Sequence, residues 1–100
     1  MTFVFGGAYQ GKHDFAKEEL SAKDTDIIVV SDVSEENIEG IIQSSDKHTV
    51  IIMNDISQGV VPMDAKMRAY REASGKAMIR LAKEADEVYR VFCGIGIKIK

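Results

Sequence analysis

One hundred residues, 45% of them hydrophobic, make one domain with a real core and leave no room for a separate substrate domain. A formal charge of −3, with Lys, Arg, Asp and Glu intermixed, excludes the basic face that a nucleic-acid partner requires. The single cysteine excludes a disulfide framework or a thiolate metal cluster, and no apolar run approaches a membrane span. No basic segment precedes an apolar core at the N-terminus, so the chain is read as cytoplasmic.

The first fifteen residues organise the rest. Phe3-Val4-Phe5 is an apolar strand that enters the turn Gly6-Gly7-Ala8-Tyr9-Gln10-Gly11-Lys12-His13 and leaves as a helix. A phosphate-binding loop has the spacing G-x-x-x-x-G-K-[ST]: glycines let backbone N–H groups turn onto a phosphate, lysine adds a point charge, and the hydroxyl holds Mg²⁺. Gly6, Gly11 and Lys12 fit this pattern, and His13 stands where the hydroxyl belongs. Imidazole is a poor ligand for hard Mg²⁺, so the loop favours an anion while its usual means of fixing the metal is missing. Gly6 to His13 are therefore the candidate nucleotide-binding residues, with a plain strand-to-helix turn as the alternative.

Lys12 to about Ala22 reads as a helix with Phe15, Ala16 and Leu20 on one face. The run Asp26 to Asp32 reads as a strand covered on both faces of a parallel sheet. Ser34 caps a second helix that carries Ile38, Ile41 and Ile42 inward until Ser44-Ser45-Asp46 stops it. His48 to Asn54 is a third strand, with Asp55 just past its end. Ile56 to Met63, containing Gly59 and Pro62, lacks clear periodicity. Asp64 can cap the longest helix, about Ala65 to Ala85, with Met67, Tyr70, Ser74, Ala77 and Leu81 as its core stripe. Gly75 within that helix suggests close packing against another backbone or subunit. Glu87 to Phe92 is a fourth strand, and Cys93, continuing its apolar run, is read as a buried, inert thiol. The short Gly94 link permits a hairpin, so the alternating Ile95 to Lys100 is an antiparallel, half-exposed edge strand.

The order βαβαβαββ predicts a three-layer α/β sandwich, mostly parallel, with an antiparallel C-terminal edge. Ligands of such sheets sit beyond the carboxyl ends of the strands, where the glycine loop, Asp32, Asp55 and the 56–63 connection should meet. Lys12 is the first candidate as a phosphate ligand. Asp32 and Asp55 are candidates to hold Mg²⁺ directly or through water, against the alternative that they end strands and cap turns. Lys12 and Asp55 are the candidate catalytic pair. Arg68 and Arg71 share a helix face and can reach an anion, while a solvated basic face paired with Glu72 is the commoner arrangement.

Several segments resemble one family. Asn54-Asp55-Ile56-Ser57-Gln58-Gly59-Val60-Val61-Pro62 resembles a signature of the bifunctional adenosylcobinamide kinase/adenosylcobinamide-phosphate guanylyltransferases of cobalamin biosynthesis. Arg68 to Lys76, Ala85-Asp86-Glu87-Val88 and the ending Gly94 to Lys100 are similar to further stretches of that family, and Gly6 to His13 resembles its phosphate loop. The resemblance implies a P-loop NTPase-like fold, GTP or ATP bound with Mg²⁺, phosphorylation of adenosylcobinamide, and homo-oligomers, to which Ile95, Ile97 and Ile99 could supply a contact. Guanylyl transfer is not carried over, because the family's long middle region with its acceptor histidine is replaced here by about Ser21 to Lys47. The family's polar pair after Gly-Arg is Met78-Ile79 in this chain. The resemblance thus leaves two readings: a reduced cobinamide kinase, or a non-catalytic relative acting as a regulatory or assembly partner.

Overall fold

The computed structural model describes residues 1–55 and 65–100. The connection 56–63, the expected cap at Asp64 and most of the family-like Asn54 to Pro62 segment lie outside the described residues.

Strand β1 (Thr2–Gly6) is the middle of the sheet. It runs parallel to β3 (Val50–Asn54) on one side and to β4 (Glu87–Phe92) on the other. Beyond β3 lies β2 (Ile27–Val30), and beyond β4 lies antiparallel β5 (Ile95–Lys98), giving the order β2-β3-β1-β4-β5. Because side chains alternate across a strand, the continuous apolar runs of β1 and β3 feed two cores at once. Phe3, Ile51 and Val88 face one side with Ile38, Ala77 and Leu81. Val4, Ile52 and Val91 face the other with Phe15 and Ala16. Helix α1 (Lys12–Glu18) covers the second face, and α2 (Glu35–Ser44) and α3 (Ala65–Glu84) cover the first. This is the three-layer sandwich that the element order predicts.

Local chemistry accounts for the helix limits. Ser34 caps α2 by accepting the Asn37 N–H on its hydroxyl at 3.3 Å. Helix α1 stops at Glu18, short of the expected Ala22. The N–H groups of Glu19 and Leu20 both turn to the Phe15 carbonyl, and Ser21 adopts a left-handed φ of 55°. That reverses the chain within one turn. Asp24–Asp26 then form a short 3₁₀ turn into β2. Across the groove between α2 and α3, Arg80 Nε donates to Glu39 Oε1 at 2.7 Å while the same guanidinium pairs with Glu84.

Three expectations are corrected. Strand β2 is an edge, not doubly covered: Val29 shares a face with Ile52 but is 60% exposed, while Ile27 alone of that strand packs against the cluster of Phe15 and Ala16. In α3 the stripe is core only from Ser74 onward, and Met67 and Tyr70 are about half exposed. A helix of 20 residues is about 30 Å long, whereas the longest strand, of six residues, spans about 20 Å. Gly75, expected to pack against another backbone or subunit, has no such neighbour among the described residues of this chain, where a Cβ would meet nothing within 4 Å. Cys93 is exposed, in a two-residue hairpin turn. Its φ of 51° and the 76° of Gly94 match the mirror-image turn that suits the twist of paired strands.

Candidate functional site: the glycine loop

The loop leaves β1 at Gly6 and enters α1 at Lys12, at the carboxyl ends of the central parallel strands. It can start there because Gly6 lies flat against β4; a Cβ on Gly6 would stand 2.4 Å from the Val91 carbonyl oxygen. It can end there because Gly11 adopts φ 85°, a left-handed conformation that suits glycine, and hands its carbonyl to the Phe15 N–H at 2.9 Å. Between them Tyr9, also left-handed at φ 60°, is wholly exposed at the loop's tip.

Lys12 is the centre of the arrangement. Its side chain is buried at 7% exposure, and its Nζ donates to the Gly7 carbonyl at 2.6 Å, across the loop that carries it. Burial holds the ammonium below the ordinary lysine range. A cation kept partly desolvated beside a glycine turn is a ready electrostatic ligand for an anion, since an arriving phosphate supplies a countercharge to it.

A cleft of about 250 Å³ runs along the loop, lined by Tyr9, Gln10, Gly11, Lys12, His13 and Asp14, with Val29, Ile52 and Asn54 forming its far side. Asn54 pairs in register with Gly6, which places the end of β3 beside the loop's first residue. Asp55 follows at once, and its N–H donates to the Gly6 carbonyl at 2.7 Å. The structure thus brings Asp55 to the loop's entrance. Asp32 stands apart, past the end of edge strand β2 and outside the residues lining the cleft. Its carboxylate accepts the Ser34 N–H at 3.0 Å, which lowers its pKa and fixes the turn into α2.

His13, which also lines the cleft, is about half exposed, with Nε2 4.0 Å from Asp24 Oδ1. Lys17 pairs with the same carboxylate at 2.6 Å and is the main cause of its lowered pKa. At the position of the metal-holding hydroxyl stands an imidazole, a weak ligand for Mg²⁺. His13 offers a soft nitrogen, and no group of three or more His, Cys, Asp or Glu that could hold a metal occurs among the described residues.

Sequence reasoning misses two parts of this site. Asn54 enters through register alone, which follows from the pairing of β1 with β3. Gln10 accepts the N–H of Cys93 on its side chain and the N–H of Gly94 on its carbonyl, tying the loop to the β4–β5 turn. Paired glycines at 11 and 94 are the available signal, since a Cβ on Gly11 would come 3.3 Å from Gly94 Cα.

A strand, a glycine turn closing on its own lysine, and a helix, set in a mostly parallel sheet, define the class: an α/β protein of the P-loop NTPase type. The chain belongs to the family described as cobinamide kinase / cobinamide phosphate guanyltransferase, which matches residues 29–99, from β2 through β5. It is 43% identical over 51 residues to the bifunctional adenosylcobalamin biosynthesis protein CobU of Salmonella typhimurium, and 39% identical over 51 residues to the protein of the same name from Escherichia coli. Each match covers 51% of this chain and 28% of the relative's length. No helix among the described residues is long and apolar enough to cross a membrane.

Proposed function

We propose that this chain is one domain, residues 1–100, and binds the phosphates of GTP or ATP in the loop Gly6 to His13. Lys12 supplies the charge and Asp55, whose N–H bonds the Gly6 carbonyl, a carboxylate at the loop's entrance. The observation that carries this reading is the buried Lys12 ammonium held against the Gly7 carbonyl, inside a glycine turn at the carboxyl end of the central strand. Membership of a family named for cobinamide phosphorylation, with relatives named for adenosylcobalamin biosynthesis, supports cobalamin metabolism as the setting. In that setting the reaction is transfer of the terminal phosphoryl group to the hydroxyl of adenosylcobinamide, with Lys12 stabilising charge on the transferred group. Asp32, committed to the start of α2, serves the fold in this account.

One observation favours a second reading, a non-catalytic relative that keeps the nucleotide site. His13 replaces the metal-holding hydroxyl and turns toward Asp24. The two readings separate in a single-turnover assay of the protein with GTP or ATP, Mg²⁺ and adenosylcobinamide. The kinase reading expects phosphorylated corrinoid in step with nucleoside diphosphate. Bound but intact nucleotide would mark the non-catalytic relative.

We also propose self-association through β5. Phe92 and Ile95 face each other across the hairpin, and Phe92, Ile95, Ile97 and Ile99 are each more than half exposed. Such a row of large apolar groups marks an interaction surface. Light scattering should give an oligomeric mass; a monomer at high protein concentration contradicts this.

A further inference from the structure

The glycine loop is braced by a distant part of the chain. Gln10 Oε1 accepts the Cys93 N–H at 2.7 Å, and the Gln10 carbonyl accepts the Gly94 N–H at 2.8 Å. Three glycines let the β4–β5 hairpin lie against the loop and the helix after it without intervening side chains. Gly6 abuts Val91 at the loop's entrance, Gly11 abuts Gly94 at its exit, and a Cβ on Gly96 would fall 2.2 Å from the Phe15 ring. The turn itself is a stiff two-residue connection, with both residues at positive φ.

The brace has a directional consequence. In a trans peptide the carbonyl oxygen and the following N–H point to opposite sides. Holding the Gln10 carbonyl on Gly94, with the side-chain bond to Cys93 keeping that residue seated on the turn, therefore turns the Gly11 N–H away from the hairpin. A phosphate loop binds its anion through such inward-turned backbone N–H groups. We propose that the β4–β5 turn, acting through Gln10, sets the Gly11 N–H for a bound phosphate, so that Gln10 is a positioning residue whose side chain never needs to touch the nucleotide. This rests on the nucleotide-site reading above. It makes anion affinity at residues 6–13 depend on a hairpin at the other end of the chain, and linkage requires the reverse: bound nucleotide must stabilise the hairpin turn.

The test uses the full chain, GTP and inorganic pyrophosphate as probes, and Gln10→Met, which keeps the side chain's size and removes its acceptor. Gln10→Met should remain folded, with a midpoint lowered by no more than several degrees, and bind both probes roughly tenfold more weakly. In the wild type, added GTP should slow hydrogen exchange at the Cys93 and Gly94 amides, and in Gln10→Met the Cys93 response should vanish. Equal affinity in wild type and variant overturns the inference and leaves the nucleotide site standing. So does a wild type that binds GTP without any change at the Cys93 and Gly94 amides, a measurement that stands even if the variant does not fold. No binding by the wild type overturns the nucleotide reading and this inference together.

Discussion

Lys12→Ala should weaken GTP or ATP binding roughly a hundredfold, the effect of losing about 3 kcal/mol from charge-assisted bonds in a poorly solvated site. The size follows from where the ammonium sits. A solvated surface lysine contributes little to anion binding, whereas Lys12 is buried and held inside the loop before any anion arrives. Lys12→Met, which fills the same space without charge, should lose as much, and both variants should stay folded because the single Gly7 bond is a small part of the domain's stability. Titration calorimetry of the two variants beside the wild type checks this. Retention of wild-type affinity in Lys12→Met would show that the charge is not a ligand.

Gly6→Ala should destabilise the fold by about 3 kcal/mol, the upper end for overpacking, against a typical domain stability of about 5–15 kcal/mol. The added methyl meets the Val91 carbonyl oxygen at 2.4 Å, backbone against backbone, in the strand pair that joins β1 to β4. Neither partner can swing aside as a flexible side chain would, because β1 is hydrogen-bonded to β3 on its other edge. The strands must separate at the loop's entrance, so nucleotide binding should be lost along with stability. Urea unfolding gives the first effect directly. A variant with an unchanged midpoint would mean that the loop enters differently from the geometry described.

The elements with strong local signals are legible in the order of residues alone. Strand β1 shows as a short apolar run ending in Gly6-Gly7, α2 as Ser34 followed by two glutamates, and the terminal hairpin as Gly94 between alternating strands. Gly11 and Lys12 mark the loop because their spacing carries a backbone requirement and a charge that few other turns combine. What is not legible depends on neighbours distant in sequence. The run Ile27 to Val30 has the composition of a doubly covered strand, and only the strand order shows that it is an edge, with Val29 exposed. Cys93 follows an apolar strand in sequence yet sits in the turn, because the mirror-image hairpin needs two residues at positive φ and takes Cys93 with Gly94. Met67 and Tyr70 keep helical spacing with Ser74, and no periodicity says where along a long helix the core begins. Gln10 reads only as one of the nucleotide-binding loop residues, and its tie to the hairpin is hidden because its partners lie more than eighty residues away.

The most direct test of a working phosphate loop at residues 6–13 is calorimetric titration of the wild-type chain with GTP and with ATP, each with and without Mg²⁺. Saturable binding of at least one nucleotide, strongly weakened in Lys12→Ala, is the expected result. Because the Lys12 ammonium and the backbone donors of the loop would act on the phosphates directly, binding should persist when Mg²⁺ is withheld. No saturable binding of either nucleotide, or binding equally strong in Lys12→Ala, would contradict the account.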